Sequence, residues 1–302
     1  MLSDAYRRLW EDDALQERIE RDTRRHRMGD IAVCVTGADG GPRPGVEVRV
    51  EQTGSHILFG ANLFMVDAYE GAAAERFERH FVELFNAGTL SLYWRDLEPA
   101  PGTLRFAADS PRIRRRPPVD VALAFAQRHG LNVNGHPLVW DFRRWSVPPW
   151  LSDADCRRGD CWERRIAQIA ERYGHVIPRW DVVNEVLSSP KRPAESVPMP
   201  EGYARKSFAW AQRHLPDAAH LMINETTHDA WHGGRAAYRA LVEGLIADGA
   251  KVDGIGLQFH AFTDDAMARI GGGELHRPTE LLAALDDLGT LGRPLTPHPP
   301  SP

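Results

Sequence analysis

Arg179-Trp-Asp-Val-Val-Asn-Glu185 is the stretch on which the reading of the fold turns. Val182 and Val183 are β-branched and Trp180 flanks them, a composition that suits a buried strand. The apolar run stops abruptly at Asn184 and Glu185. An amide and a carboxylate therefore stand at the strand's carboxyl end, where parallel α/β folds place ligands and chemistry. On this stretch alone two readings stay open: Glu185 is a catalytic acid, or it caps the helix that follows.

Working outward, the same texture recurs on both sides. Strand-like runs at Ile57 to Ala61, Ala87 to Tyr93, Asn132 to Val139, His220 to Asn224 and Gly254 to Phe259 join Trp180 to Asn184 to make six. Helical patterns fall near 72–85, 118–129, 161–173, 201–214, 233–248 and 278–288. Strands alternating with helices of this length predict βαβ units and a parallel sheet. Ahead of them, residues 4–28 read as an amphipathic helix. Ile31 to Val35 and Val46 to Val50 read as a small antiparallel element joined by a Gly/Pro turn. After Leu288, Gly-Thr-Leu-Gly-Arg-Pro-Leu resembles the run-in to a seventh strand, but Thr296-Pro-His-Pro-Pro-Ser-Pro302 follows. Proline removes ladder donors, so no central strand is expected there. The expected division is 1–56 for the helix and β element, 57–295 for the α/β unit and 296–302 for a Pro-rich tail.

Composition narrows the function classes. Of 302 residues, 42% are hydrophobic and 26% charged, with no apolar run of membrane-spanning length, so no membrane partner is expected. A net charge of -5 argues against a nucleic-acid partner, and the basic cluster Arg112 to Arg116, set between prolines, reads as a solvated loop. Cys34, Cys156 and Cys161 lack zinc-ligand spacing and are expected as thiols. The first thirty residues are densely charged with no apolar signal core, so the expected address is the cytoplasm.

The chemistry gathers at strand ends: Asn62, Trp94, His136 with Trp140, Asn184 with Glu185, Asn224 with Glu225, and Gln258 with His260. Singly, His136 reads as a core histidine, Trp140 as core and Asn224 as a turn former. Their recurrence at the same end of strand after strand is what packing alone does not explain. No local ligand spacing supports a metal, and no cofactor is expected. Amides and imidazoles bond hydroxyls and indole faces stack on pyranoses, so the set suits an oligosaccharide or polysaccharide. Glycosidic cleavage needs two carboxyl groups, and Glu185 supplies one.

Gly135-His-Pro-Leu-Val-Trp140, Trp180-Asp-Val-Val-Asn-Glu185 and Gly254-Ile-Gly-Leu-Gln-Phe-His260 resemble the third-, fourth- and sixth-strand motifs of glycoside hydrolase family 10, the endo-β-1,4-xylanases. Phe85-Asn86 with Trp94 and Leu97-Glu-Pro-Ala-Pro-Gly102 resembles the second strand and its loop, and Leu221-Met-Ile-Asn-Glu225 the fifth. The similarity runs over about 57–295. It implies a (β/α)8 TIM barrel and a retaining mechanism on a xylan-like substrate, with Glu185 as acid/base. Asn184 would contact the 2-hydroxyl of the sugar being cleaved, His136 and Gln258 would bind that same sugar, and His260 would hold the nucleophile.

Two departures stand out. The family's Glu-Asn pair and Lys before the Trp on the second strand are here Thr89-Leu-Ser-Leu-Tyr-Trp94, which strips the neighbouring subsite of charge and amides. Its nucleophile lies in a Thr-Glu motif on the seventh strand, where this chain has Thr296-Pro-His-Pro. The expectation is a barrel cut to about six strands, with the seventh and eighth absent, and a glycosidase impaired for want of its nucleophile. The alternatives are an inactive carbohydrate-binding barrel and a non-carbohydrate scaffold on the same fold.

Overall fold

A computed structural model describes residues 3–261 and 263–298. The chain divides into two compact units, Met1–Ile57 with Asp265–Thr279, and Leu58–Asp264 with Glu280–Pro302.

In the first unit the expected single N-terminal helix is two, α1 (Asp4–Trp10) and α2 (Asp13–Arg27). Asp12 breaks it, because its carboxylate accepts from the Leu15 amide and caps a new start. The Tyr6 hydroxyl donates to the His276 carbonyl at 2.8 Å, tying α1 to the segment 265–279. The antiparallel element expected at Ile31 to Val35 and Val46 to Val50 is not formed. A tight turn is present, with Thr36 bridged to Pro42 and the Gly37 amide donating to Gly41, but the arms do not pair. Ile31 and Val50 remain 78% and 69% exposed, so no surface covers the alternating apolar face. A two-stranded ribbon without such cover is marginal in water.

The second unit is an all-parallel sheet in chain order: β1 (Gly60–Asn62), β2 (Ala87–Ser91), β3 (Asn132–His136), β4 (Arg179–Asn184), β5 (His220–Glu225), β6 (Gly254–Gln258) and β7 (Leu295–His298). The connecting helices are α3 (Gly71–Leu84), α4 (Trp94–Leu97), α5 (Val119–Arg128), α6 (Asp153–Arg158), α7 (Asp160–Tyr173), α8 (Tyr203–His214), α9 (Thr227–Trp231), α10 (Arg235–Ala247) and α12 (Pro278–Gly289), while α11 (Asp264–Gly271) falls in the first unit from Asp265 on. The six expected strands all form, and the six expected helices correspond to α3, α5, α7, α8, α10 and α12 within two residues at each end. Strand order and helical connections are those of a (β/α)8 barrel.

The core explains why. In β4 Trp180, Val182 and Val183 are each fully buried, as a strand covered on both faces requires. On α7, Trp162, Ile166, Ile169, Ala170 and Tyr173 follow helical spacing and bury one stripe against the sheet. Arg165, on the same helix, is buried too; its guanidinium donates to the carbonyls of Leu138 and Leu92 and lies over the Trp94 ring. Those carbonyls leave β3 and β2 just past their carboxyl ends, so one cation holds the two loops that build the site. Burial pulls its pKa down to about 9.

A seventh strand forms where none was expected. β7 pairs with β6 from Ile255↔Leu295 to Gln258↔His298, and the Ile255 amide donates to the Pro294 carbonyl. In a parallel ladder the amides facing one neighbour alternate, so Thr296 and His298 face β6 while Pro297 turns its ring nitrogen the other way. Among the described residues that side has no partner strand, which is where proline is tolerated. The rest of the expected tail, residues 299–302, lies outside the described residues.

Candidate active site

The carboxyl ends of the strands open into a cavity of about 820 Å3, the size of an ordinary ligand pocket. Its lining includes Asn62 from β1, His136 from β3, Trp140 beyond it, Asn184 and Glu185 from β4, Asn224 from β5, and Gln258 and His260 from β6. Eight of the ten residues singled out in sequence are thus brought together, and Glu225 lies outside the cavity wall. Trp94 is not among them: it opens α4, is 2% exposed, and packs edge-on against Trp162 and Trp150. Its indole N–H donates to Glu98 at 2.7 Å, so it belongs to the core beneath the loop and not to the cavity wall. Strand β2 ends at Ser91, and the turn into α4 presents Tyr93 in its place.

Glu185 sits at a strained point of the backbone, with φ 59 and ψ 44, a left-handed conformation that costs a non-glycine residue on the order of 1 kcal/mol or more. Its amide donates to the Asn224 carbonyl at 2.9 Å, which holds the kink against β5. The kink turns its carboxylate into the cavity, where Trp140 Nε1 (3.1 Å), Arg192 (3.2 Å) and Gln258 Nε2 (3.2 Å) donate to it. Burial raises its pKa above the ordinary carboxylate range, and Arg192, Gln258, Trp140 and His136 pull the other way. The Asn184 amide oxygen accepts from Asn224 at 2.9 Å and from Gln258 at 3.1 Å, so three strand ends are locked in one plane of amides. His136 Nδ1 lies 2.6 Å from Asp181, which also accepts from Asn134. That partner fixes the orientation of the ring.

The other acidic side chains are committed elsewhere. Glu225 is fully buried and accepts from the Leu187 amide at 2.9 Å and the Thr226 amide at 3.4 Å. Burial, reinforced by Asp229 and Glu185, pushes its pKa up to about 8. Glu98 clamps Trp94 Nε1 and the Gly102 amide, fixing the Pro-rich loop. Asp96 lines the cavity but is paired with Arg116 at 3.0 Å. Among the described residues no group of three His, Cys, Asp or Glu side chains could hold a metal ion, and no helix is long and apolar enough to cross a membrane.

Two features escaped the sequence reading. Phe64, Tyr93 and Trp140 form an aromatic cluster with Phe142, giving the cavity an apolar wall. Only Trp140 carried a signal, because the other rings come from loops of no fixed period. The basic run is the second. Instead of a solvated loop, residues 113–116 make a tight turn, Ile113 bridged to Arg116, whose arginines line the cavity. Arg116 stacks over the rings of Tyr93 (4.3 Å) and Phe64 (4.8 Å). A cation therefore does reach the wall where the second strand has lost one, supplied by a different segment. The flanking prolines were the available signal, since they rigidify a turn as readily as they mark an exposed one.

A parallel (β/α) sheet with a largely desolvated carboxylate, an amide cluster and the Trp140 and Trp145 indoles at its carboxyl ends has the make-up of a carbohydrate-handling barrel. The chain belongs to glycosyl hydrolase family 10, whose model matches residues 94–293. It is 25% identical over 208 residues to Endo-1,4-beta-xylanase 2 of Aureobasidium pullulans, covering 66% of this chain and 54% of that one. It is 29% identical over 191 residues to the Beta-1,4-xylanase of Dictyoglomus thermophilum, covering 61% and 49%. The chain spans about half the length of these two relatives. Among solved structures it resembles native xylanase 10B from Thermotoga maritima, with TM-score 0.56 and 21% identity over 80% of this chain and 81% of that one. It also resembles a mutant of xylanase A from P fluorescens subsp. cellulosa in complex with xylopentaose, with TM-score 0.58 and 21% identity over 80% and 68%. At these identities the structural likeness speaks for the fold.

Proposed function

We propose that the cavity is the sugar-cleaving site of an endo-β-1,4-xylanase-type retaining glycosidase, in which Glu185 is the general acid/base. The observation that carries this is the setting of Glu185: buried, held by Trp140 and Gln258, and raised in pKa, so that it can carry the proton a leaving oxygen needs. Asn184, with Asn224 and Gln258 behind it, presents an ordered amide toward a sugar hydroxyl, and His136, held by Asp181, lines the cavity beside it. The names of the relatives, and the xylopentaose complex among the structural neighbours, support a β-1,4-xylose chain as substrate.

A retaining displacement needs a second carboxylate about 5–5.5 Å from the first. The sequence from Leu295 onward, Leu-Thr-Pro-His-Pro-Pro-Ser-Pro, contains no acidic residue, so β7 supplies none. Glu225 is tied to two backbone amides, its pKa is pushed up by burial, and it does not line the cavity. The expected outcome for the 302-residue polypeptide is binding of xylo-oligosaccharides with no turnover of its own. Calorimetric titration with xylopentaose should show binding that weakens at least tenfold in Asn184→Ala. Assays on xylan and aryl xylosides should show no turnover above that of Glu185→Gln. Glu185-dependent hydrolysis would overturn the second half of the proposal and make Glu225 the replacement nucleophile, while absence of any glycan binding would sink the first.

A further inference from the structure

The mouth of the cavity carries more positive charge than a neutral sugar chain needs. The protein has a net charge of -5, yet five arginines line this one cavity, Arg95, Arg114, Arg115, Arg116 and Arg144, against two carboxylates, Asp96 and Glu185. Both carboxylates are already engaged, Asp96 by Arg116 and Glu185 by Arg192. Arg95, Arg114, Arg115 and Arg144 have no carboxylate within 4.0 Å among the described residues. Arg115 adds a sharper sign. Its Nε is buried without a hydrogen-bond acceptor, and its backbone is held at φ 61 at the tip of the turn. A guanidinium hydrogen withdrawn from water with nothing to accept it costs free energy, and so does a left-handed arginine. An acceptor docked against the guanidinium offsets the first of these costs.

We propose that this mouth recognises a carboxylate-bearing glycan: a β-linked chain carrying uronosyl groups, whose acid groups are held by Arg114 and Arg115 with Arg144 contributing. The inference rests on the cavity being a sugar site, as proposed above. A guanidinium fork matches a carboxylate with two parallel hydrogen bonds, which makes arginine the side chain suited to the task. Sugar rings also have a platform at the same mouth, because Trp145 is 45% exposed there with the Arg144 guanidinium 5.0 Å above its ring. Cations arranged among indole and phenyl faces suit a chain that is apolar on its ring faces and anionic at its branches. The overall negative charge opposes a nucleic acid, whose footprint would extend beyond one cavity. The same turn that restores charge to the second-strand wall thus changes what that wall selects.

The test is isothermal titration of the 302-residue protein with three ligands of equal backbone length: a xylo-oligosaccharide, the same chain carrying one glucuronosyl branch, and its methyl ester. The acid should bind about tenfold more tightly than the other two at low salt, and the preference should shrink as salt rises. Arg114→Ala with Arg115→Ala should abolish the preference, so that acid, ester and neutral chain bind that variant equally, and the double lysine variant should recover only part of it. Equal affinity for acid, ester and neutral chain would overturn the inference and leave the sugar site standing. If none of the three binds, the sugar-site reading fails and this one with it. Competition by a sulfated oligosaccharide or a short single-stranded DNA as effective as by the acid would reduce the mouth to a general anion patch and also overturn it.

Discussion

At Glu185 three donors and burial act in opposite directions on one proton. Burial is the largest effect and raises the pKa, while Arg192, Gln258 and Trp140 favour the ionised form and hold the rise in check. Removing the strongest of the opposing groups should release it. Arg192→Met is therefore expected to move the Glu185 pKa further up, read as the difference titration of its carboxyl infrared band against Glu185→Gln. A downward move would mean that Arg192 does not face the carboxylate in solution. The variant should still fold, because the Arg192 aliphatic stem and its stack on Phe142 are largely kept by a thioether. The sequence shows which residues reach the cavity where a strand end fixes the direction of the side chain, as for Asn184, Gln258 and His136. Trp94 lies off the cavity wall because the backbone leaves β2 before that residue and starts a helix, which turns the indole inward. A motif gives residue order, and order alone does not tell which of Tyr93 and Trp94 faces the cavity.

At the scale of elements, Glu225 joins the end of β5 to the 3-10 turn Val186–Lys191 after β4 through the Leu187 amide. Its folded pKa of about 8 stands above the ordinary 4.5, so folding favours its protonated form. The sign follows: its stabilising contribution is complete below about 4.5 and is lost as pH rises through about 8. At roughly 1.4 kcal/mol per unit, the loss is on the order of a few kcal/mol by pH 9. Urea unfolding from pH 5 to pH 9 should show the protein losing stability relative to Glu225→Gln, with the two nearest to each other at the acid end. Parallel curves across the range would show that Glu225 is already ionised in the native state. The elements themselves were legible wherever both faces of a strand are covered, because Val182-Val183 and Ile255-Gly-Leu257 then become near-continuous apolar runs. Two elements misled for opposite physical reasons. The arms Ile31 to Val35 and Val46 to Val50 have the alternation of strands but no cover for the apolar side. β7 has the prolines of a tail, but its ladder uses only the amides on one side, and Pro297 falls on the other.

For the whole molecule the consequence lies at the two ends of the sheet. β4 and β5 each have two partner strands, whereas β1 and β7 have one each among the described residues. A closed barrel satisfies every strand edge and packs its interior in layers contributed by alternate strands, so an unpaired edge leaves both ladder groups and side-chain layers without partners. β7 blunts its edge with Pro297, which has no amide to offer. β1 has no such device: Gly60–Asn62 is three residues long, only half-buried, and carries all its amides. Local opening should therefore start at β1 and spread toward the centre, a gradient that native-state hydrogen exchange resolves. In the 302-residue protein the amides of β1 should exchange orders of magnitude faster than those of Trp180 to Val183, and heating should give a broad, irreversible transition with concentration-dependent association through the open edge. Uniform protection from β1 to β6, together with one sharp, reversible transition in a monomer, would show that the edges are satisfied in solution. The sheet would then be a self-sufficient unit whose strand-end site needs no further strand to hold its shape.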